Sequence, residues 1–227
     1  MSSLLKPSFR LAAAAIMISG FVRIGNLKID AFIQSQYGGH SQYLTIQGLW
    51  IAVATMILGV LLSIFSFLNF LRPLRRYLFV TAMPLSVVIS SIYWTLLVFF
   101  PHLIVASIQQ PGAPSSSSEA PAPFYLPLSI DLALHAAPAI ALATDFFAFE
   151  SKYTEKEVRT AVPTIMVAYT LFYSSWVEFC ATKNDGNFPY PFLTISPPGV
   201  RLLIYAGAGV LGAVSFRVLN SLHSRPQ

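Results

Sequence analysis

The chain has 227 residues, of which 55% are hydrophobic and only 10% are charged, and its formal net charge is +5. Soluble domains carry about 25% charged residues, so this composition excludes a soluble domain with a polar surface. The single cysteine, Cys180, excludes an intrachain disulfide and a cysteine-based metal cluster. The basic residues form no stripe interleaved with aromatic residues, which excludes nucleic acid as a partner.

Apolar runs follow one another along the chain, each about as long as the roughly 20 helical residues that cross a bilayer. We therefore predict an all-α fold, a polytopic transmembrane bundle of six helices that forms a single domain over residues 1–227. The predicted spans are residues 8–25, 42–67, 77–105, 124–149, 158–179 and 199–222.

The distribution of lysine and arginine indicates the orientation of these spans. With the N-terminus in the cytoplasm, ten of the 14 basic residues lie on the cytoplasmic side and four on the opposite side. Both termini are therefore predicted to be cytoplasmic. Lys6 and Arg10 followed by an apolar run also resemble a signal peptide, but its removal would break this alternation, so an uncleaved anchor is predicted.

Residues 109–123, QQPGAPSSSSEAPAP, separate the third and fourth spans. A segment this rich in proline and serine is unable to bury a core. It predicts a flexible loop on the non-cytoplasmic side.

A polar loop leads into the second span through YGGHSQYLT, residues 37–45, in which Gly38 and Gly39 indicate a tight turn. Thr45 falls in the first turns of the following helix. A threonine hydroxyl becomes a nucleophile when a base lies next to it. The structural alternative is that Thr45 bonds to a carbonyl one turn earlier, as is common in membrane helices.

His135 lies at the centre of the fourth span, where an ionisable side chain is costly and therefore indicates function. Spans two and four enter the membrane from the same face, so Thr45 and His135 are expected in the same half of the bilayer. At 1.5 Å per residue Thr45 lies about 5 Å below its helix start, and His135 lies deeper below its own. This mismatch shrinks if the fourth span begins after Pro127. The alternative for His135 is a structural hydrogen bond between helices.

Asp131 precedes His135 by four residues and so shares its helical face. A carboxylate there can orient the imidazole and stabilise its protonated form, as the third member of a triad does. The alternative is that Asp131 only marks the membrane interface.

Other polar residues of the spans have simpler explanations. Asp145 and Glu150, near the inner end of the fourth span, are expected to face water. The segment 207–212, GAGVLG, matches a dinucleotide-binding pattern, but it lies in an apolar helix rather than after a strand, so it predicts close helix packing.

Three segments spread over the chain carry a family resemblance: YGGHSQYLT at 37–45, LALHAAPAI at 132–140 and FPYPFL at 188–193. In this order and spacing they resemble the androgen-induced membrane hydrolases, multi-pass proteins grouped with the androgen-dependent regulator of tissue factor pathway inhibitor. The resemblance implies a threonine hydrolase that cleaves fatty acid esters of hydroxy fatty acids. It assigns the intramembrane threonine to Thr45 and the histidine to His135. The serine- and proline-rich loop departs from the family pattern.

These observations predict an intramembrane ester hydrolase in which His135 activates the Thr45 hydroxyl, with Asp131 as a candidate orienting residue. No metal or organic cofactor is required, and the expected partners are a lipid ester and the surrounding membrane lipids. The expected location is the endomembrane system, with the endoplasmic reticulum as default and the plasma membrane as alternative. The alternative functions are a non-catalytic adaptor or lipid-binding protein, and a transporter, although the inner halves of the spans look nearly bare of the polar groups that transport needs.

Overall fold

The structure, a computed structural model, describes residues 4–105 and 124–224, and within them the chain forms helices and no β-strand. The α-helices are α1 Leu5–Ile24, α2 Lys28–Ser35, α3 Leu44–Ile64, α4 Arg72–Phe99, α5 Leu128–His135, α6 Ala137–Phe149, α7 Val162–Lys183, α8 Pro191–Thr194 and α9 Pro198–Leu222. Short 3₁₀ turns cover Gly39–Gln42, Ser66–Leu71 and Pro101–Leu103, and a π-helical turn covers Glu157–Ala161. The all-α prediction is confirmed. The predicted loop 109–123 lies outside the described residues.

Four helical segments of the described chain are long and apolar enough to cross a membrane: Leu5–Ile24, Leu44–Ile64, Ser66–Phe99 and Pro198–Leu222. The pair α5 and α6 qualifies as a fifth only if its two parts are taken together. The 22 residues of α7 have the length of a span, but their many hydroxyl groups reduce the hydropathy below that of the other spans. The structure thus supports a multi-pass protein with four or five candidate spans.

The fourth predicted span, 124–149, is not one continuous helix. Helix begins only at Leu128, and α5 and α6 are bent by 43° at the break around Ala136. Pro138 explains the break, because proline lacks an N–H and its ring clashes with the carbonyl of Leu134 one turn earlier.

The centre of the bundle is α3, which packs between α1 and α4. α5 and α6 pack against α1 and α4, and α9 packs against α4 and α7. Side chains such as Met17, Leu49, Met56 and Phe79 are fully buried where these helices meet. Lipid tails are as apolar as these side chains, so the bundle is held by close packing rather than by a hydrophobic driving force between helices.

Two glycines allow the closest helix contacts near the candidate site. A Cβ atom at Gly20 of α1 would lie 2.7 Å from the Cβ of Ala133 in α5, and one at Gly48 of α3 would lie 2.5 Å from the Cδ1 of Ile89 in α4. Since real Cβ atoms essentially never come this close to another atom, Gly20 requires glycine if α1 and α5 keep their spacing, because the Cβ of Ala133 is fixed to its backbone. At Gly48 the close atom is the end of the Ile89 side chain, which can rotate away.

A buried ionic cluster lies at the end of the bundle opposite to Thr45. Arg10 of α1 donates to Asp145 at 2.7 Å and to Glu150 at 2.6 Å, and Arg75 of α4 donates to the same two carboxylates. Asp145 is fully buried. The expectation that Asp145 and Glu150 face water is therefore wrong. The expectation that the inner halves of the spans are nearly bare of polar groups is also wrong. Two arginines from other helices neutralise the two carboxylates, which makes their burial tolerable.

Candidate active site

The turn before α3 sets the position of Thr45. Gly38 and Gly39 both have positive φ, 89° and 46°, a conformation that glycine adopts without steric cost. A Cβ at Gly38 would lie 2.6 Å from the Sγ of Cys180 in α7. This close approach fixes the start of α3 against α7, with Thr45 as the second residue of the helix.

His135 is the last residue of α5, immediately before the break. Its Nδ1 lies 2.7 Å from an Oδ1 of Asp131, one helical turn earlier, and both side chains are buried. With Nδ1 bound to the carboxylate, Nε2 is the ring nitrogen left to act as a base. α5 begins directly after Pro127. This later start of the helix reduces the difference in depth that the sequence predicts between Thr45 and His135.

Tyr93 of α4 adds a third contact to this pair. Its ring lies parallel to the imidazole of His135, with an interplanar angle of 3° and centroids 3.4 Å apart. Its hydroxyl is hydrogen-bonded to Asp131. The imidazole is therefore held on one face by Tyr93 and at one edge by Asp131, which restricts its rotation.

Two cavities meet at Thr45. Cavity I, about 100 Å³, is mostly apolar and extends between α4, α7 and α9. Cavity II, about 130 Å³, has a more polar lining and extends between α1, α2, α4 and α5. Thr45, Tyr93, Ile104 and Tyr190 line both cavities, and His135 lines cavity II. The structure therefore brings Thr45 and His135 to the wall of the same cavity, although their catalytic roles stay predictions.

The backbone N–H groups of Thr45, Ile46 and Gln47, in the first turn of α3, are all engaged in hydrogen bonds. The N–H of Thr45 donates to the hydroxyl of Tyr190 at 3.5 Å. The N–H groups of Ile46 and Gln47 both donate to the carbonyl of Tyr43 at 3.1 Å. A tyrosine hydroxyl, rather than an open backbone site, thus faces the threonine.

A second histidine–carboxylate pair, which sequence reasoning missed, lines the same region. The Nε2 of His40 lies 2.7 Å from an Oδ1 of Asp30 in α2, and His40 lines cavity II. The two residues are ten apart in sequence, across a turn, so no helical spacing indicated the contact. Among the described residues, no group of three or more histidine, cysteine, aspartate or glutamate side chains is arranged to hold a metal ion.

Comparisons with known proteins place this chain in a family. The sequence matches the family described as FAR-17a/AIG1-like protein over residues 6–224. It is 25% identical to the UPF0641 membrane protein PJ4664.05 of Schizosaccharomyces pombe, over 87% of this chain and 81% of the relative. It is 27% identical to the UPF0641 membrane protein YHR140W of Saccharomyces cerevisiae, over 94% of this chain and 90% of the relative. No solved structure matches significantly. Since the family match covers nearly the whole sequence, this integral membrane protein belongs to the FAR-17a/AIG1-like family.

Proposed function

We propose that the protein is an intramembrane threonine hydrolase that cleaves lipid esters, with fatty acid esters of hydroxy fatty acids as the substrate class. The observation that carries the proposal is that Thr45 and the His135–Asp131 pair meet at one cavity inside a membrane protein. A nucleophile, a base and a group that orients the base are the three parts of a hydrolytic triad. The resemblance to the androgen-induced membrane hydrolases supports the same assignment.

In the proposed reaction, Nε2 of His135 takes the proton of the Thr45 hydroxyl as Oγ1 attacks the ester carbonyl carbon. The tetrahedral intermediate collapses when the alcohol oxygen leaves and takes the proton from His135. An acyl-threonine ester remains. Water then gives a proton to His135 and attacks this ester, and the fatty acid leaves as Thr45 regains its proton.

We propose that the two cavities receive the two hydrocarbon arms of the ester. Cavity I has the more apolar lining, and its wall on α4 runs from Tyr93 to Leu85, about 12 Å at 1.5 Å per residue. We assign the acyl chain to cavity I. The alcohol arm then occupies cavity II, where His135 protonates its oxygen as it leaves.

The proposal extends to topology and location. α7 has the length of a span and packs against α4 and α9, which supports it as the sixth span. With six spans, the lysine and arginine distribution gives cytoplasmic termini. Hydrolysis of a membrane-soluble ester suits the endomembrane system, with the endoplasmic reticulum as the default location.

The test is to purify the protein in detergent, incubate it with a fatty acid ester of a hydroxy fatty acid, and measure the released acids by mass spectrometry. Acid quench during turnover is expected to leave an acyl group on the peptide that contains Thr45. Binding of the ester without any release of acid would contradict the proposal and favour the non-catalytic adaptor.

Replacing Asp131 with asparagine is expected to lower kcat by about 10²-fold or more, because an amide neither stabilises the imidazolium nor holds the required tautomer. The measurement is the rate of ester hydrolysis by the purified variant. The matched control is Asp30→Asn, which breaks the other histidine–carboxylate pair on cavity II and is expected to leave kcat nearly unchanged. Equal losses in both variants would contradict a specific role for Asp131.

Replacing Ala208 with phenylalanine is expected to shift the preference toward shorter acyl chains, because Ala208 lines cavity I and the larger ring would fill it. The measurement is kcat/KM over a series of esters that differ only in acyl length. We expect the longest chains to lose most and the shortest to lose little. Ala206→Phe, at an exposed position on the same helix, is the control. A uniform loss for all chain lengths would argue against the assignment of cavity I.

A further inference from the structure

Tyr190 lies in the segment between α7 and α9, and its hydroxyl lies next to Thr45, the proposed nucleophile. Its oxygen accepts a hydrogen bond from the backbone N–H of Thr45 at 3.5 Å, and Tyr190 lines both cavities together with Thr45. The Tyr190 ring is fixed by an edge-to-face contact with Tyr43, with centroids 5.7 Å apart. Burial raises the pKa of Tyr190, so its hydroxyl is protonated and can donate.

The hydrogen bonds around this hydroxyl limit what it can do. A tyrosine oxygen accepts hydrogen bonds and also donates one. The oxygen of Tyr190 accepts from the N–H of Thr45. Tyr173, which also lines cavity I, gives its own proton to the carbonyl of Gln42 at 3.2 Å. The proton of Tyr190 is therefore available to an acceptor in the site.

The N–H of Thr45 also changes the strength of Tyr190 as a donor. It lies in the first turn of α3, a helix of 21 residues, where the backbone carries a partial positive charge. Hydrogen bonds donated to an oxygen polarise its own O–H and strengthen the bond that it donates in turn. The start of α3 thus acts on the nucleophile through the tyrosine hydroxyl rather than directly.

We infer that Tyr190 is a further catalytic residue of the proposed hydrolysis, the hydrogen-bond donor that stabilises the oxyanion of the tetrahedral intermediate on Thr45. The inference rests on the proposed function. When Thr45 Oγ1 bonds to the ester carbon, the carbonyl oxygen becomes negatively charged next to Oγ1, at the cavity wall that Thr45 shares with Tyr190. Tyr190 lines both cavities and so lies beside the ester wherever its two arms extend. No atom is transferred to or from Tyr190 in this role.

The experiment compares Tyr190→Phe with Tyr153→Phe and Thr45→Ala. Tyr153 is also buried, but it lines neither cavity and its hydroxyl donates to the carbonyl of Arg76 at 3.2 Å, so it is the matched control. Loss of one oxyanion donor is expected to lower kcat by about 10²–10³-fold in Tyr190→Phe while KM stays nearly unchanged. Tyr153→Phe is expected to retain kcat close to that of the wild type.

A second readout separates this role from a structural one. A lipid trifluoromethyl ketone forms an oxyanion on Thr45, whereas the matching lipid ether binds without reacting. Tyr190→Phe is expected to weaken binding of the ketone by about 10²-fold and to leave binding of the ether unchanged. Because both affinities are measured on the same preparation, a reduced fraction of folded protein affects them equally and leaves their ratio unchanged.

The outcomes distinguish the inference from the function on which it rests. If wild-type protein releases no acid, or Thr45→Ala hydrolyses the ester as fast as wild type, the proposed function and the inference both fail. If Thr45→Ala is inactive but Tyr190→Phe keeps its kcat and its ketone-to-ether ratio, only the assignment of Tyr190 is overturned.

Discussion

Replacing Thr45 with alanine is expected to abolish formation of the acyl-enzyme and to lower the rate of ester hydrolysis by at least about 10³-fold, because no other group takes the place of the attacking oxygen. His135→Ala is expected to lower kcat by about 10²–10⁴-fold, the usual contribution of a general base. The rates are measured with purified protein, and a fluorophosphonate probe reports the activated hydroxyl. Labelling is expected to disappear in both variants.

The matched control for Thr45 is Thr55→Ala. Thr55 is buried in the same helix, and its hydroxyl donates to the carbonyl of Ile51 at 2.7 Å, one turn earlier. It is a structural threonine of the kind that Thr45 would be if the site were inert. Equal activity in wild type and Thr45→Ala would remove Thr45 as the nucleophile. Equal losses in Thr45→Ala and Thr55→Ala would point to destabilisation instead.

Replacing Asp145 with asparagine is expected to destabilise the protein by about 3–5 kcal/mol, because it leaves Arg10 and Arg75 buried with one carboxylate between them. For a chain of this size, such a loss corresponds to a decrease of roughly 10 °C or more in Tm. Thermal unfolding in detergent measures it. The control is Glu155→Gln, which breaks the exposed ion pair with Arg159 and is expected to leave Tm unchanged.

The same cluster predicts an acid limit to stability. Burial alone would raise the pKa of Glu150, but the charges and hydrogen bonds of Arg75 and Arg10 outweigh it and hold the pKa below the ordinary value of 4.5. A carboxyl group with a lowered pKa in the folded state stabilises the fold above its ordinary pKa. This contribution is lost as the pH falls through the lowered value. Tm is therefore expected to decrease below about pH 4.5, and a Tm independent of pH in that range would contradict the assignment.

Much of the fold follows from the sequence, because span-length apolar runs indicate membrane helices directly. The first, second and last predicted spans agree with α1, α3 and α9 to within a few residues. The break in the fourth span was missed, since membrane helices tolerate many prolines and the pattern does not show whether Pro138 interrupts the helix.

The candidate site was predictable only where its residues are local in sequence. The contact between Asp131 and His135 follows the spacing of a helical turn, and the Gly38–Gly39 turn marks the start of α3. Tyr190 is 145 residues from Thr45, and no periodicity reports a contact over that separation. The ionic cluster was missed for the same reason, because each of its charges viewed alone resembles a residue at a membrane interface.

The close contact between Gly20 and Ala133 has a consequence for how natural variation in this protein should be interpreted. Ala133 lies between Asp131 and His135, so the spacing of α1 and α5 sets where the imidazole stands relative to Thr45. A larger residue at position 20 would push α5 outward and misplace His135, the proposed base, while the ionic cluster at the other end still holds the helices together. A variant at position 20 is then expected to reach the membrane in normal amounts and still lack the proposed activity. A measurement of protein abundance alone would therefore classify such a variant as harmless.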